Sequence, residues 1–312
     1  MKKAFVVSAL MLATSSIVMA QVTDLEKSIR DDASIPQEEK VPSKWQCHGM
    51  FSLNASQTQF FNWAAGGENS VGGNALANVE LDYTSNRQSW NTTLDLGYGL
   101  LQQGKGSVIK TDDRIDFTTK YGQRASKHWY YAAMVQFKTQ FTDGFNYPND
   151  SDVISTFMAP AYLIGAVGMD YKPHKSFSAF ISPITAKWTF VMNDNLSNMG
   201  AFGVDSGKHV YYQYGGYVRL VYSNEFVNKT IGVTSKLDLF SNYVEKPKNI
   251  DVNWELLLTF KINKFLQASI NTQLVYDDDI KTITTDSEGK EVAKGPRIQF
   301  KEVVGIGLAY KF

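Results

Sequence analysis

The residues of this sequence that could do chemistry fall into two sets, one scattered and one periodic. The scattered set holds His48, His128, His174 and His209, a single cysteine at Cys47, and acidic residues at Asp150, Asp152, Asp194, Asp205 and the run Asp277, Asp278, Asp279. A serine and a histidine on one exposed strand face could hydrolyse lipid esters. Here His128 alternates with polar positions and His174 lies in the turn-like KPHKS, so no such pair is evident. The aspartates could offer oxygens to Ca²⁺, but they lack the fixed spacing of an EF-hand loop and read as solvated loop charge. The glycine-rich AAGGENSVGG has neither the lysine nor the following helix of a phosphate-binding loop. A lone cysteine forms no internal disulfide. No catalytic, metal-ligating or cofactor-binding residue is assigned.

The periodic set is more informative. Glu80, Asp82, Asp95, Arg114, Asp116, Lys120, Lys138, Arg219, Lys236, Asp238, Glu255 and Lys261 each occupy the polar phase of a segment whose alternate positions are apolar. Charges of both signs placed this way suit ion pairing and the filtering of solutes rather than bond making.

Alternation of this kind belongs to β-strands, in which successive side chains point to opposite faces. In NALANVELDY, residues Ala75, Ala77, Val79, Leu81 and Tyr83 alternate with Asn78, Glu80 and Asp82. WNTTLDLGYGL, RIDFTTKY and HWYYAAMVQFKTQF repeat the pattern, as do the stretches 157–171, 210–222, 231–243, 252–262, 266–276 and 298–312. A further strand over 177–192 slips phase near Ser182-Pro183, as a bulge would cause. With 51–61 the count is about twelve, each strand long enough to cross a bilayer at a tilt. The fold class expected is all-β, a transmembrane antiparallel barrel. Apolar positions then face lipid and the twelve charges above line the lumen, since Arg or Lys on the outer wall at mid-membrane costs about 2–4 kcal/mol.

The remaining features agree. MKKAFVVSALMLATSSIVMA, residues 1–20, has two lysines before a short apolar run closing on small residues, which is the pattern of a secretory signal peptide cut after Ala20. Residues 21–44 are polar and punctuated by Pro36 and Pro42, a flexible or partly helical periplasmic leader, and 45–312 form the barrel. Connections alternate between short (SNRQS, GQRASKH, KPHKS, SNEFVNKT, KINK) and long (AAGGENSVGG, QQGKGSVIKTDD, TDGFNYPNDSDV, NDNLSNMGAFGVDSGK, NYVEKPKNID and the stretch 277–296), which puts the short turns and both termini in the periplasm. Tyr83 and Trp90, Tyr121 and Trp129, Tyr171 and Phe177, and Tyr222 and Phe226 flank the short turns, where aromatics suit a headgroup boundary. The sequence ends IGLAYKF, with Leu308, Tyr310 and Phe312 alternating, which resembles the terminal strand signal read by the barrel-assembly machinery. Lys plus Arg and Asp plus Glu are 31 each, so net charge attracts no nucleic acid or other polyanion.

The segments FNWAAGGENS, KTDDRIDFTTKYG, YYAAMVQFKTQFTDGF, STFMAPAYL, GMDYKP and SPITAKWTFV resemble the DUF3078 family of exported proteins from Bacteroidota. The resemblance implies a lineage and an outer-membrane location, and carries no functional residues. Twelve strands are too few for a wide pore, and mixed charges can neutralise one another inside. The function expected is a narrow channel or small-solute transporter of low conductance. The alternatives are a structural or interaction barrel that binds another envelope component, a barrel lipase, and a soluble exported β-sandwich. The partners expected are outer-membrane lipid and the assembly machinery during biogenesis.

Overall fold

A computed structural model describes residues 44–311 except 62–67, 148, 175, 229, 264–265, 280–281, 286–290 and 295. The expected signal peptide, nearly all of the expected leader, and Phe312 lie outside the described residues.

The strands run in chain order. They are β1 (Lys44–Thr58), β2 (Ser70–Thr84), β3 (Gln88–Gln103), β4 (Ile109–Arg124), β5 (Trp129–Thr139), β6 (Gly144–Phe145), β7 (Val153–Ser155), β8 (Ala161–His174), β9 (Phe177–Phe190), β10 (Val210–Phe226), β11 (Ile231–Asn242), β12 (Asp251–Lys261), β13 (Leu266–Tyr276), β14 (Thr282–Thr285), β15 (Glu291–Lys294) and β16 (Gln299–Lys311). Two hairpins, β6 with β7 and β14 with β15, stand apart in the long loops. The other twelve close in the order β1-β16-β13-β12-β11-β10-β9-β8-β5-β4-β3-β2, every neighbour antiparallel. Closure removes the edges that hydrocarbon could not solvate. It rests on a short ladder, from Met50↔Lys311 to Asn54↔Gly307, whereas β1 pairs with β2 from Lys44↔Thr84 to Thr58↔Ser70.

The outer surface is apolar. Phe51, Leu53, Leu81, Phe117, Val135, Val167, Ile181, Ile184, Val304 and Ile306 stand exposed on it, while Glu80, Asp82, Asp116, Lys120, Gln136, Asp170 and Lys187 are buried within. A water-soluble domain has the reverse arrangement. Aromatic rings gird the wall beside the short turns, where Trp45 packs on Tyr83 at 5.1 Å and on Trp90 at 6.0 Å, Trp90 on Tyr121 at 6.0 Å, and Trp129 on Tyr171 at 4.7 Å. Polar outer groups pair among themselves: Trp90 Nε1 donates to Thr119 Oγ1 at 2.8 Å, and Trp254 Nε1 to Ser235 Oγ at 2.9 Å. Glu302 departs from the rule that charge points inward. It is exposed between Phe300 and Val304, on the face opposite to the inward Lys301, near the long-loop end of β16.

The expected phase slip is a bulge. Between Thr185↔Gly215 and Ser182↔Tyr217, β9 carries one residue more than β10, and the register with β8 shifts at the same place. Ser182 Oγ lies 2.9 Å from the Val167 carbonyl and 2.8 Å from that of Ile184. Gly168 faces the bulge because a Cβ there would run into the Ile181 carbonyl. The predicted long loop QQGKGSVIKTDD shrinks to 104–108, since β3 and β4 continue to pair up to Leu101↔Ile109. The other long connections persist. Residues 140–160 and 191–209 meet in an apolar cap of Ala159, Val191, Leu196 and Val204, built partly on the short helix α1 (Asp194–Asn198).

Candidate functional site

Strand alternation delivers all twelve predicted lumen charges to inward-facing positions, and a central group of eight meets across the barrel. Lys138 Nζ lies 3.2 Å from Asp116, 3.9 Å from Glu255 and 4.0 Å from Asp238. Arg219 reaches Asp238 at 3.1 Å, and Asp238 also accepts from Tyr217 at 2.6 Å. Arg114 approaches Glu255 at 4.0 Å, and Lys236 approaches Asp95 at 3.8 Å. β4 and β12 lie opposite each other in the ring, as do β3 and β11, so these last two pairs span the lumen. Four cations face four carboxylates, and Gln136, Thr118 and Asn78 donate to Asp116 and Asp95. Charge is thus balanced in place rather than left to recruit ions.

Toward the short turns, Asp170 accepts from Ser178 at 2.8 Å and pairs with Lys120 at 3.0 Å and Lys172 at 3.5 Å. Asp82 accepts from Asn91 at 2.7 Å, and Glu80 is buried nearby on β2. Lys261 keeps the inward phase of β12 at its short-turn end, opposite Gln267 of β13.

Sequence reasoning missed the ion pairs near the long loops. Lys187 Nζ lies 2.9 Å from Asp251 and 3.3 Å from Asp277, and Lys301 lies 2.5 Å from Asp112. The run 277–279 is therefore not solvated loop charge. Asp278 accepts from Lys246 and Asn249, each at 2.7 Å, and Asp279 accepts from Gln213 at 2.7 Å. The Lys246 bond holds the Asp278 carboxyl below its ordinary value. The signal for Lys187 was present but displaced, because the bulge at Ser182 changes the phase of everything after it in β9.

Simple polar-inside alternation also failed in one sector. Ala132, Met134, Ala166, Phe180, Tyr217 and Phe240 form a buried apolar cluster on the inward faces of β5, β8, β9, β10 and β11. Opposite them, inward residues are short or neutral: Ser52, Asn54, Thr259, Gln267, Ser269, Asn271 and Gly307. A cavity of about 110 Å³ lies against these residues and is closed on its other side by Asn78, Asp95, Arg114, Asp116, Lys236 and Glu255.

Among the described residues no serine hydroxyl bonds to a histidine ring. His209 Nδ1 sits 2.7 Å from the Val191 carbonyl, and the ring of His128 lies 6.4 Å from that of Tyr171. Among those residues, too, no group of three or more His, Cys, Asp or Glu side chains is arranged to hold a metal ion.

Residues 55–145 match the model of DUF3078, a family described as a protein of unknown function. The DUF3078 match contains the first three of the resembling segments and stops short of STFMAPAYL, GMDYKP and SPITAKWTFV. It carries Glu80, Asp82, Asp95, Arg114, Asp116, Lys120 and Lys138, so the β2-to-β5 share of the lumen network lies within it. No curated protein matches the sequence. Solved structures that resemble the chain include the COG4313 outer membrane channel from Pseudomonas putida F1, at 10% identity and TM-score 0.39, covering 89% of this chain and 99% of that one. The translocator domain of the autotransporter NalP from Neisseria meningitidis is 9% identical with TM-score 0.32, covering 93% and 94%. The outer membrane channel DcaP of Acinetobacter baumannii is 8% identical with TM-score 0.32, covering 89% and 99%.

Proposed function

We propose that this protein is an outer-membrane β-barrel that passes small polar solutes through a restricted lumen, entering from the long-loop side and leaving toward the periplasm. The observation that carries the reading is the unequal filling of a closed, inside-out barrel. Ion pairs and an apolar cluster occupy one sector, and a cavity edged by hydroxyl and amide groups remains beside them. Bridges such as Lys236–Asp95 restrict the cross-section, so conductance is low and ion selectivity weak. The aromatic girdle and the apolar outer wall support residence in a bilayer, and the assembly machinery is the partner expected during biogenesis.

The reading is tested by carbonate extraction of membranes, followed by reconstitution of the purified protein into liposomes and planar bilayers. Retention in the membrane with osmotic swelling in glycerol or urea supports it. Retention without swelling or conductance replaces it with the structural barrel, a reading that the bridges spanning the lumen also favour. Recovery as a soluble periplasmic protein removes both.

A further inference from the structure

The ring of strands is not paired along the whole of its seam. β1 and β16 pair from Met50↔Lys311 to Asn54↔Gly307, and among the described residues no pair joins 55–58 of β1 to 299–306 of β16. Each strand stays paired on its other side, β1 with β2 as far as Thr58↔Ser70 and β16 with β13 as far as Val275↔Gln299, so the two diverge toward the long-loop end. Exposure agrees. In β5, which is paired on both sides, exposed and buried residues alternate from Trp129 to Gln136. In β1 all four residues 55–58 are exposed, the inward Ser56 and Thr58 included, and in β16 so are all four residues 299–302. The central cavity lies at the foot of this gap, since Ser52, Asn54, Gly307 and Leu308 are part of its lining.

We infer that the gap is a lateral portal that holds an amphiphile, its alkyl chain against the outer wall and its uncharged, hydroxyl-bearing head in the cavity. The inference rests on residence in a bilayer but not on the passage of polar solutes, so a barrel without conductance leaves it standing. A strand edge turned to hydrocarbon leaves backbone N–H and C=O groups unsatisfied at several kcal/mol each, and it persists only where polar groups or water reach it. Such an edge offers donors and acceptors in turn, and a hydroxyl serves both. The inward side chains at the gap and below it are neutral: Ser52, Asn54, Ser56, Thr58, Ser269 and Asn271. Lys301, the inward cation of β16 beside them, is already matched by Asp112. A charged head would therefore lose hydration without meeting a free counter-charge. On the outer face Leu53, Phe300, Val304 and Ile306 are exposed and apolar, as an alkyl chain requires. The outward carboxylate of Glu302 is accounted for by the same gap, which it borders and from which water can hydrate it.

The test uses the full protein, with Cys47→Ser, in lipid nanodiscs. Two cysteine pairs probe the gap. Leu53→Cys with Leu308→Cys, across the paired part of the seam, should oxidise to a disulfide, and Ala55→Cys with Ile306→Cys, one outward step further on, should not. Single cysteines carrying bimane then probe the chain: Val304→Cys on the outer wall, Ser56→Cys inward at the gap, and Gln273→Cys inward on β13, opposite Lys301 in the paired wall. A monoacylglycerol brominated on its acyl chain should quench the labels at 304 and 56 alike and leave the label at 273 bright. A bright label at 304 would show that the barrel is not in a bilayer, and the portal would fall with the reading above. Quenching at 304 with the label at 56 as bright as that at 273 overturns the portal alone, as does ready oxidation of the 55–306 pair. Equal quenching at 56 by a lysophosphatidate with the same brominated chain, at a dose matched on the label at 304, overturns the uncharged head.

Discussion

The lumen has two halves that share a fold and differ in how they are filled. On the inward faces of β5 and β8 to β11, Met134, Phe180, Tyr217 and Phe240 pack together as they would in a globular core, with Arg219 and Asp238 joined beside them. On those of β12, β13, β16 and β1, Thr259, Asn271, Ser52 and Gly307 leave space. Strand pairing alone closes the barrel, and the size of the inward side chains decides where it is open. The apolar cap of Ala159, Val191, Leu196 and Val204 belongs to the loops that join β5 to β8 and β9 to β10, so packed loops cover the filled half.

If the filled half bears the stability, damage there should be severe. Asp170 is 2% exposed and neutralises Lys120 and Lys172, so Asp170→Asn should cost about 3–5 kcal/mol by leaving buried cations short of a partner. Urea unfolding in detergent, followed by the gel shift of the folded barrel, measures it. Phe180→Ala, at a fully buried position of the apolar cluster, should cost about 3–5 kcal/mol by leaving a cavity. Next in size is the seam, where Tyr310 opposes Phe51 and Leu308 opposes Leu53. Tyr310→Asp puts charge on the outer wall of the shortest ladder, and a reduced yield of assembled barrel is expected. A normal yield would show that β1 and β16 close by something other than this register.

In the open half the same treatment should do little. Ser269→Ala is expected to change stability by less than about 0.5 kcal/mol, and Ser269→Phe to reduce solute flux with the fold intact. A large stability loss from Ser269→Ala would erase the distinction between the halves. Smallest of all is the loop pair Lys246–Asp278. The lowered Asp278 carboxyl contributes only above its unfolded pKa of about 3.9 and loses that contribution as pH falls through its lower folded value. Carboxyl NMR should find the midpoint shifted upward in Lys246→Ala and barrel stability at neutral pH unchanged. An unmoved midpoint would show that the pair is open in solution.

Much of the fold was legible because strand alternation has a period of two and needs no knowledge of partners. Val79, Leu81 and Tyr83 declare their face in the sequence, and even the bulge at Ser182-Pro183 shows as a slip. The filling of the lumen was not legible in the same way. Tyr130, Ala132 and Met134 are apolar between apolar outward neighbours, so nothing in β5 marks them as inward until Gln136 and Lys138. Cross-lumen partners depend on how far the strands are staggered around the ring, which no local pattern records. Lys138 and Asp116 could be assigned to one phase, but the approach of Glu255 from β12 could not.

The central claim is that the ion pairs restrict the lumen, and single-channel recording of Lys138→Met with Arg219→Met tests it most directly. Removing both cations leaves Asp116, Asp238 and Glu255 with fewer partners, so the double variant should conduct more than wild type and favour cations. Equal silence of wild type and variant at every voltage, with both proteins folded and inserted, would contradict it.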